Sequence, residues 1–466
     1  MSEYLTLTEV SAAIHSGAIT SSRVTATLLE RADRLDPQLG TYLARFDEAA
    51  LATAAERDAE LANGQDRGPL HGVPIAIKDI IATDDGPTTA QSLILDPAWG
   101  DQGDAPVVAR LRAAGAIILG KTSTMEFACG CPDATKPFPV PRNPWDVTTW
   151  PGGSSSGTGS GVAAGLFYGG LGTDTGGSIR CPAAFCGITG HKPTFGLVPK
   201  SGCTPLGYSY DHIGPMARSA EDCALMLEVM AGFDPSDLTS SKRPVSPPFT
   251  AVAGDLQGVR VGVDRSLQER FVVDSALPEC FETAIAVLAN AGATIIDVTL
   301  PHYEALTSAT MNGWPAEALA NHRRDLQTRW LDYGRPTRAV LAAGALVSGN
   351  DYVQAQRVRQ VGVQAMKALF ESCDVVVTPT AGVGALPVEG LDFASVIASV
   401  FTPVWNAVGF PALSAPMGFT AAGLPLGLQI AAMPFADAVA LNVAAGYQQH
   451  SDWHLRQPEM TSPALA

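Results

Sequence analysis

Basic charge is scarce in this sequence. Its 30 Lys plus Arg stand against 46 Asp plus Glu, a formal net charge of −16. That balance opposes the phosphate neutralisation that binding nucleic acid requires. Long apolar runs are missing too: stretches such as Val162 to Leu171 are short and broken by glycine, far below the roughly 18–20 residues of a bilayer span. The opening residues, MSEYLTLTEVSAAIHSGAIT, carry neither the basic start nor the continuous apolar run of a secretion signal. The eight cysteines, scattered from Cys129 to Cys373, follow no repeating spacing, which argues against a disulfide scaffold. Cys129-Gly130-Cys131 has no second Cys/His pair at zinc-ligand spacing, so no metal is expected. These absences together predict a cytoplasmic protein with no nucleic-acid or membrane partner.

What is present is apolar bulk. Of 466 residues 46% are hydrophobic and 16% charged, enough to bury a large core, and a globular enzyme is the default class. Length alone suggests two or three domains, yet α/β folds often carry several hundred residues on one sheet. Residues 5–65 show helical spacing at Leu5, Val10, Ile14, Val24, Leu28 and Leu29. From Val73 the pattern turns to short apolar runs between Gly and Pro, VPIAI at 73–77 and AIILG at 116–120, which read as buried strands. VVARLRAAG at 107–115 reads as a helix between them. Further strands are expected at 258–264, 294–300, 374–380, 411–419 and 425–432, with a helix near 277–292 and a helical stretch over 301–370. In that stretch Arg323, Arg324 and Arg329 read as a solvated face. This alternation predicts an α/β architecture, with 236–250 as a surface loop rather than a boundary.

The most unusual segment is Pro151-Gly-Gly-Ser-Ser-Ser-Gly-Thr-Gly-Ser-Gly161. Its composition alone reads as a flexible linker, but an apolar run and a second glycine turn, Thr173-Asp-Thr-Gly-Gly-Ser178, follow at once. A phosphate loop needs a lysine after its glycines, and none occurs between Lys136 and Lys192. Gly153-Ser-Ser-Ser-Gly157 formally fits a nucleophile elbow centred on Ser155, with His212, His450 and His454 as later histidines. A last reading joins both glycine turns to Lys78, one of only seven lysines, at the end of the apolar run Val73–Ile77. Burial there would disfavour its ammonium and make it a base, giving a Ser-Lys form of nucleophilic catalysis. The plainer reading of Lys78 is a salt bridge to Asp79.

The segments Gly72-Val-Pro-Ile-Ala-Ile-Lys-Asp79, Gly152-Gly-Ser-Ser-Ser-Gly157 and Gly172-Thr-Asp-Thr-Gly-Gly-Ser-Ile-Arg180 resemble those of the amidase signature hydrolases. The match continues through Pro182-Ala-Ala-Phe-Cys-Gly187 and Lys192-Pro193, and Gly423-Leu-Pro-Leu-Gly-Leu-Gln429 extends it towards the C-terminus. The resemblance implies one large α/β domain over 1–466, a mixed central β-sheet between α-helices. Its parts would be a helical layer (1–65), the signature core (66–235) and the rest of the sheet with further helices (236–466). It also implies Ser178 as nucleophile, Ser154 as a bridging serine preceded by a cis peptide, and Lys78 as base. Backbone N–H groups of Thr175, Gly176, Gly177 and Ser178 would form the oxyanion hole, braced by Ser155, Asp174 and Arg180. No metal or cofactor is implied.

The family spans amide hydrolases and the glutamine-hydrolysing component of a tRNA-dependent amidotransferase complex. The stretch from Thr194 to Asp211 departs from that component's usual serine-rich Ser-Leu-Asp pattern. The expectation is therefore hydrolysis of a small aryl or aliphatic amide, an anilide, or an aryl carbamate or urethane, with the amidotransferase component as the alternative. Met125 and Phe127 fall at substrate-facing positions by the same resemblance, which suggests an apolar pocket, against core packing as the plainer reading. Trp314, Trp405 and Tyr208 read as core or surface residues, or as an aromatic wall. Expected partners are the small substrate alone or a second copy in a homodimer.

Overall fold

Eleven strands form one mixed sheet in the computed structural model, which describes residues 4–101, 103–245, 249, 254–271 and 273–461. In chain order they are β1 (Tyr42–Arg45), β2 (Pro74–Lys78), β3 (Ile117–Thr122), β4 (Gly169–Asp174), β5 (Thr189–Lys192), β6 (His212–Ala217), β7 (Arg260–Val263), β8 (Thr294–Asp297), β9 (Val375–Pro379), β10 (Ala412–Phe419) and β11 (Pro425–Ala432). Their order across the sheet is β1-β3-β2-β4-β6-β5-β10-β11-β9-β7-β8. The chain thus starts at one edge, crosses the middle with its glycine-rich segments, moves to the far edge with β7 and β8, and comes back to the middle with β9, β10 and β11.

The apolar runs read from the sequence become β2, β3, β7, β8, β9, β10 and β11, because Val and Ile favour a pleated, buried surface. All five residues of β2 and all eight of β11 are buried, as befits strands covered on both faces. The expected helices appear at Pro106–Ala113 and Leu277–Asn290, and 301–370 holds Tyr303–Thr328, Arg335–Gly344 and Gly349–Leu369. Arg323 and Arg324 are exposed, and Arg329, its side chain 40% exposed, also donates to the carbonyls of Ile94 (3.0 Å) and Leu93 and pairs with Asp332. Of the expected 236–250 loop, residues 246–248 and 250 lie outside the described residues.

The parallel strands β3, β2 and β4 bring the site together. Ile75 pairs with Ile118 on one side and with Gly169 on the other. Lys78 ends β2 and Asp174 ends β4, so both reach the same carboxyl edge, where open α/β sheets bind ligands. The Gly/Ser segment is no linker: Ser156–Ala163 is a helix with every residue buried. Gly157 shows why glycine recurs there, since a Cβ would collide with the Thr41 carbonyl and the Ser123 amide. Close approach of backbone to backbone offsets the helix-propensity cost of glycine, roughly 1 kcal/mol per residue.

Candidate active site

Lys78 is fully buried, and its Nζ reaches three hydroxyls: Ser154 Oγ at 2.7 Å, Thr173 Oγ1 at 2.7 Å and Ser155 Oγ at 3.1 Å. Asp79 is not its partner. That carboxylate faces Lys121 Nζ at 3.4 Å and accepts from Thr89, so the adjacent-pair reading of Lys78 is corrected. Burial without a contacting carboxylate pushes the Lys78 ammonium down to about 7, outweighing the more distant charges of Asp174 and Asp211. A neutral amine has two N–H groups and one lone pair. Ser155 Oγ accepts from Thr173 N at 3.1 Å and donates to the Thr173 carbonyl at 3.2 Å, so towards Lys78 it can only accept. The lone pair is thereby left for a hydroxyl proton from Ser154 or Thr173.

Ser154 and Ser155 precede the buried helix Ser156–Ala163, and the Gly153–Ser154 peptide is cis. The Ser154 carbonyl accepts from Thr124 Oγ1 at 3.0 Å, and the Ser155 amide donates to the Ser178 carbonyl at 3.2 Å. The two glycine turns are therefore bonded to each other through their backbones. Ser178 is half-buried, and its hydroxyl has no hydrogen-bond partner among the described residues. It shares the wall of one cavity with Ser154.

The turn carrying Ser178 is held by Asp174. Its carboxylate accepts from Gly177 N at 2.8 Å and Ile179 N at 3.2 Å, and Arg180 grips it with Nε and Nη2, both at 2.9 Å. Burial alone would raise the Asp174 carboxyl, but the Arg180 guanidinium overrides it and holds that group well below the usual carboxylate range. Arg180 in turn donates to the Thr402 carbonyl, Gln429 Oε1 and Asn406 Oδ1, and Thr402 Oγ1 donates to the Gly176 carbonyl. The expected oxyanion set needs one correction. Gly177 N–H already donates to Asp174 Oδ1 at 2.8 Å, so it is engaged within the turn.

The cavity at Ser178 is about 50 Å³ and is walled by Ala128, Gly130, Trp150, Trp314, Phe393, Val396 and Val400, among others. None of its lining residues is charged. Met125 and Phe127 are not in that wall. Met125 is fully buried in a cluster with Trp150 and Cys181, and Phe127, whose ring packs on His322 with centroids 4.4 Å apart, lines a different cavity together with His322 and Arg329. Of the three candidate wall aromatics, only Trp314 lines the cavity; Trp405 is buried in a separate cluster and Tyr208 is 56% exposed. A second cavity of about 270 Å³ adjoins through Ala128, Thr175 and Leu206 and contains Lys200 and Asp211. Asp211 is already satisfied, accepting from Thr175 Oγ1 at 2.6 Å and from the amides of Leu206 and Gly207.

Sequence reasoning missed Thr173, Thr402, Asn406 and Asp211. Thr173 stood in a quoted motif, whereas Thr402 and Asn406 carry no local signal, because only the fold brings 402–406 beside 174–180. His212 does not meet Ser155: its Nδ1 lies 3.1 Å from the Asp174 carbonyl oxygen and its Nε2 3.3 Å from Lys192 Nζ. Among the described residues no group of three or more His, Cys, Asp or Glu could hold a metal ion, and no helix is long and apolar enough to cross a membrane.

Residues 23–441 match the family model described as Amidase. The A-type component of the glutamyl-tRNA(Gln) amidotransferase of Chloroflexus aggregans is 39% identical over 485 residues, 98% of each chain. The native peptide amidase of Stenotrophomonas maltophilia superposes with a TM-score of 0.84 at 31% identity, over 98% of this chain and 99% of that one. A bacterial aryl acylamidase, at 24% identity, shares the fold with a TM-score of 0.84 over 97% and 98% of the two chains.

Proposed function

This chain belongs to the amidase signature family, and from that premise we propose that it hydrolyses the C–N bond of a small uncharged amide through a serine acyl-enzyme. Aryl and aliphatic amides, anilides and aryl carbamates fall in this class. The observation that carries the reading is the wall of the cavity at Ser178, apolar and without a charged side chain. Free glutamine brings an ammonium and a carboxylate, and burying either without a partner is costly.

In the proposed reaction Ser178 Oγ attacks the carbonyl carbon and its proton passes to Ser154 Oγ, while the Ser154 proton moves to the lone pair of neutral Lys78. The oxyanion receives hydrogen bonds from the N–H groups of Thr175, Gly176 and Ser178, each such donor being worth roughly 2.7–4 kcal/mol of barrier. The tetrahedral adduct collapses, and the leaving nitrogen takes the proton back from Lys78 through Ser154 as the C–N bond breaks. Water then attacks the acyl-serine by the same relay run a second time, releasing the acid and restoring Ser178.

A second reading, glutamine hydrolysis within an amidotransferase complex, is favoured by the curated relative at 39% identity over nearly its whole length, and sequence similarity weighs towards it. Lys200 in the adjoining cavity is a charged group it would use. The two separate in one assay. The purified chain is given acetanilide, benzamide and glutamine, with Ser178→Ala as control. Arylamine or benzoate formation that depends on Ser178 is expected; turnover of glutamine alone, or only with further complex components added, would replace the first reading by the second.

A further inference from the structure

A cavity of about 50 Å³ has room for the reacting group and little else, since a single water already needs about 10–15 Å³ of such space. The rest of any substrate must lie in an adjoining space. Two of the walls at Ser178, Met311 and Phe393, also line a chamber of about 530 Å³ on the far side of them. That volume falls in the range of about 300–1,000 Å³ typical of small-molecule sites. The chamber lies between the helices Tyr303–Thr328 and Arg335–Gly344 and the segment 391–393. Pro315, Val340, Ala343 and Leu391 make its surface apolar. Its two charged residues, Arg335 and Asp392, are exposed, and Asp392 is committed to capping the helix Phe393–Ser399 by accepting from Ser395 N at 2.9 Å.

The other cavity beside Ser178 differs in its charged groups, carrying Lys200, Asp211 and Asp237 among apolar residues such as Leu206 and Ile213. We infer that the chamber beyond Met311 and Phe393 is a second substrate subsite, which takes an extended apolar arm of the amide while the C–N bond lies at Ser178. This rests on the uncharged-amide reading above. Met311 and Phe393 are then the specificity-determining residues, since the arm passes between them. Each methylene buried beyond them adds affinity, so kcat/KM rises with arm length until the chamber is full.

The test is a pair of substrate series for the full chain, one lengthened on the acyl side (acetanilide to octananilide) and one on the amine side (N-butylacetamide to N-octylacetamide). In one of them kcat/KM is expected to climb at least tenfold from the shortest to the longest member. Ala343→Trp, which fills the chamber from an exposed helix position, is expected to cut that long-to-short ratio about tenfold. Phe393→Ala, which widens the passage, should instead shift the preference to bulkier arms. Flat profiles in both series, or a ratio that Ala343→Trp does not alter, overturn the subsite while leaving the uncharged-amide reading intact. Turnover of glutamine with none of either series overturns both.

Discussion

Lys78 and Lys192 pose the same question at the scale of single residues, because burial pushes both ammonium groups down to about 7. Their surroundings differ. Lys192 Nζ donates to the carbonyls of Phe410 (2.6 Å) and Pro193 (3.1 Å) and faces His212, so it is a structural donor. Lys78 meets only hydroxyls, one of which is Ser154. Since catalysis needs the free amine, the rate should rise with pH through about 7 and level off above it. Lys78→Met should abolish turnover, whereas Lys192→Met should leave the midpoint of that limb in place and lower Tm by a few degrees, as two buried carbonyls lose their donor. A limb that vanishes in Lys192→Met and persists in Lys78→Met would exchange the two roles. The linkage also has a sign. The unfolded lysines bind protons up to their ordinary pKa near 10.4, so these groups make stability rise with pH from about 7 towards 10 and add no slope below about 7.

Among the elements, the turn between β4 and the helix Arg180–Cys186 decides the chemistry. Gly177 has φ 139°, and a Cβ there would run into Thr402 Oγ1, the hydroxyl that fixes the Gly176 carbonyl. Gly177→Ala should therefore lower kcat about a hundredfold or more, with KM changed far less, because the oxyanion donors are displaced. Steady-state kinetics with circular dichroism would check this, and a variant of unchanged kcat would show that the turn tolerates the shift. Much of this region was legible in the sequence: the run 73–77 and the two glycine turns became β2, the buried helix and the Ser178 turn. The strands β1, β4, β5 and β6 were not. Gly-Gly-Leu-Gly-Thr-Asp in β4 has no alternation and a single β-branched residue, Thr173, and its neighbours β2 and β6 make it a strand. The cavity wall at Ser178 was mostly illegible for a different reason: Ala128, Phe393 and Thr402 meet only after the sheet has closed, so nothing in their local spacing marks them, and only Trp314 stood among the candidate aromatics.

Across the whole molecule, the groups that fix the nucleophile come from β2 to β11. Arg180 links Asp174 to the Thr402 carbonyl, Asn406 and Gln429, and Asn406 Nδ2 also donates directly to Asp174 Oδ1 at 2.8 Å, so segments far apart in the sequence meet at one carboxylate. Removing the guanidinium with Arg180→Ala would leave the Asp174 carboxylate buried without its counter-ion, a loss of roughly 3–5 kcal/mol that denaturant unfolding should register. Because the site spans the sheet, activity and far-UV circular dichroism should be lost together on heating. Activity disappearing well before the dichroism would instead mean that the 402–429 side melts by itself.

Covalent labelling reads most directly whether Ser178 carries the acyl group. A phenyl N-alkylcarbamate loses phenoxide on attack and leaves a carbamoyl group on the serine. Intact-mass analysis after brief exposure is predicted to show one carbamoyl adduct, mapped by peptide sequencing to Ser178 and absent from Ser178→Ala. An adduct on Ser155, or carbamate hydrolysis undiminished in Ser178→Ala, would contradict the account.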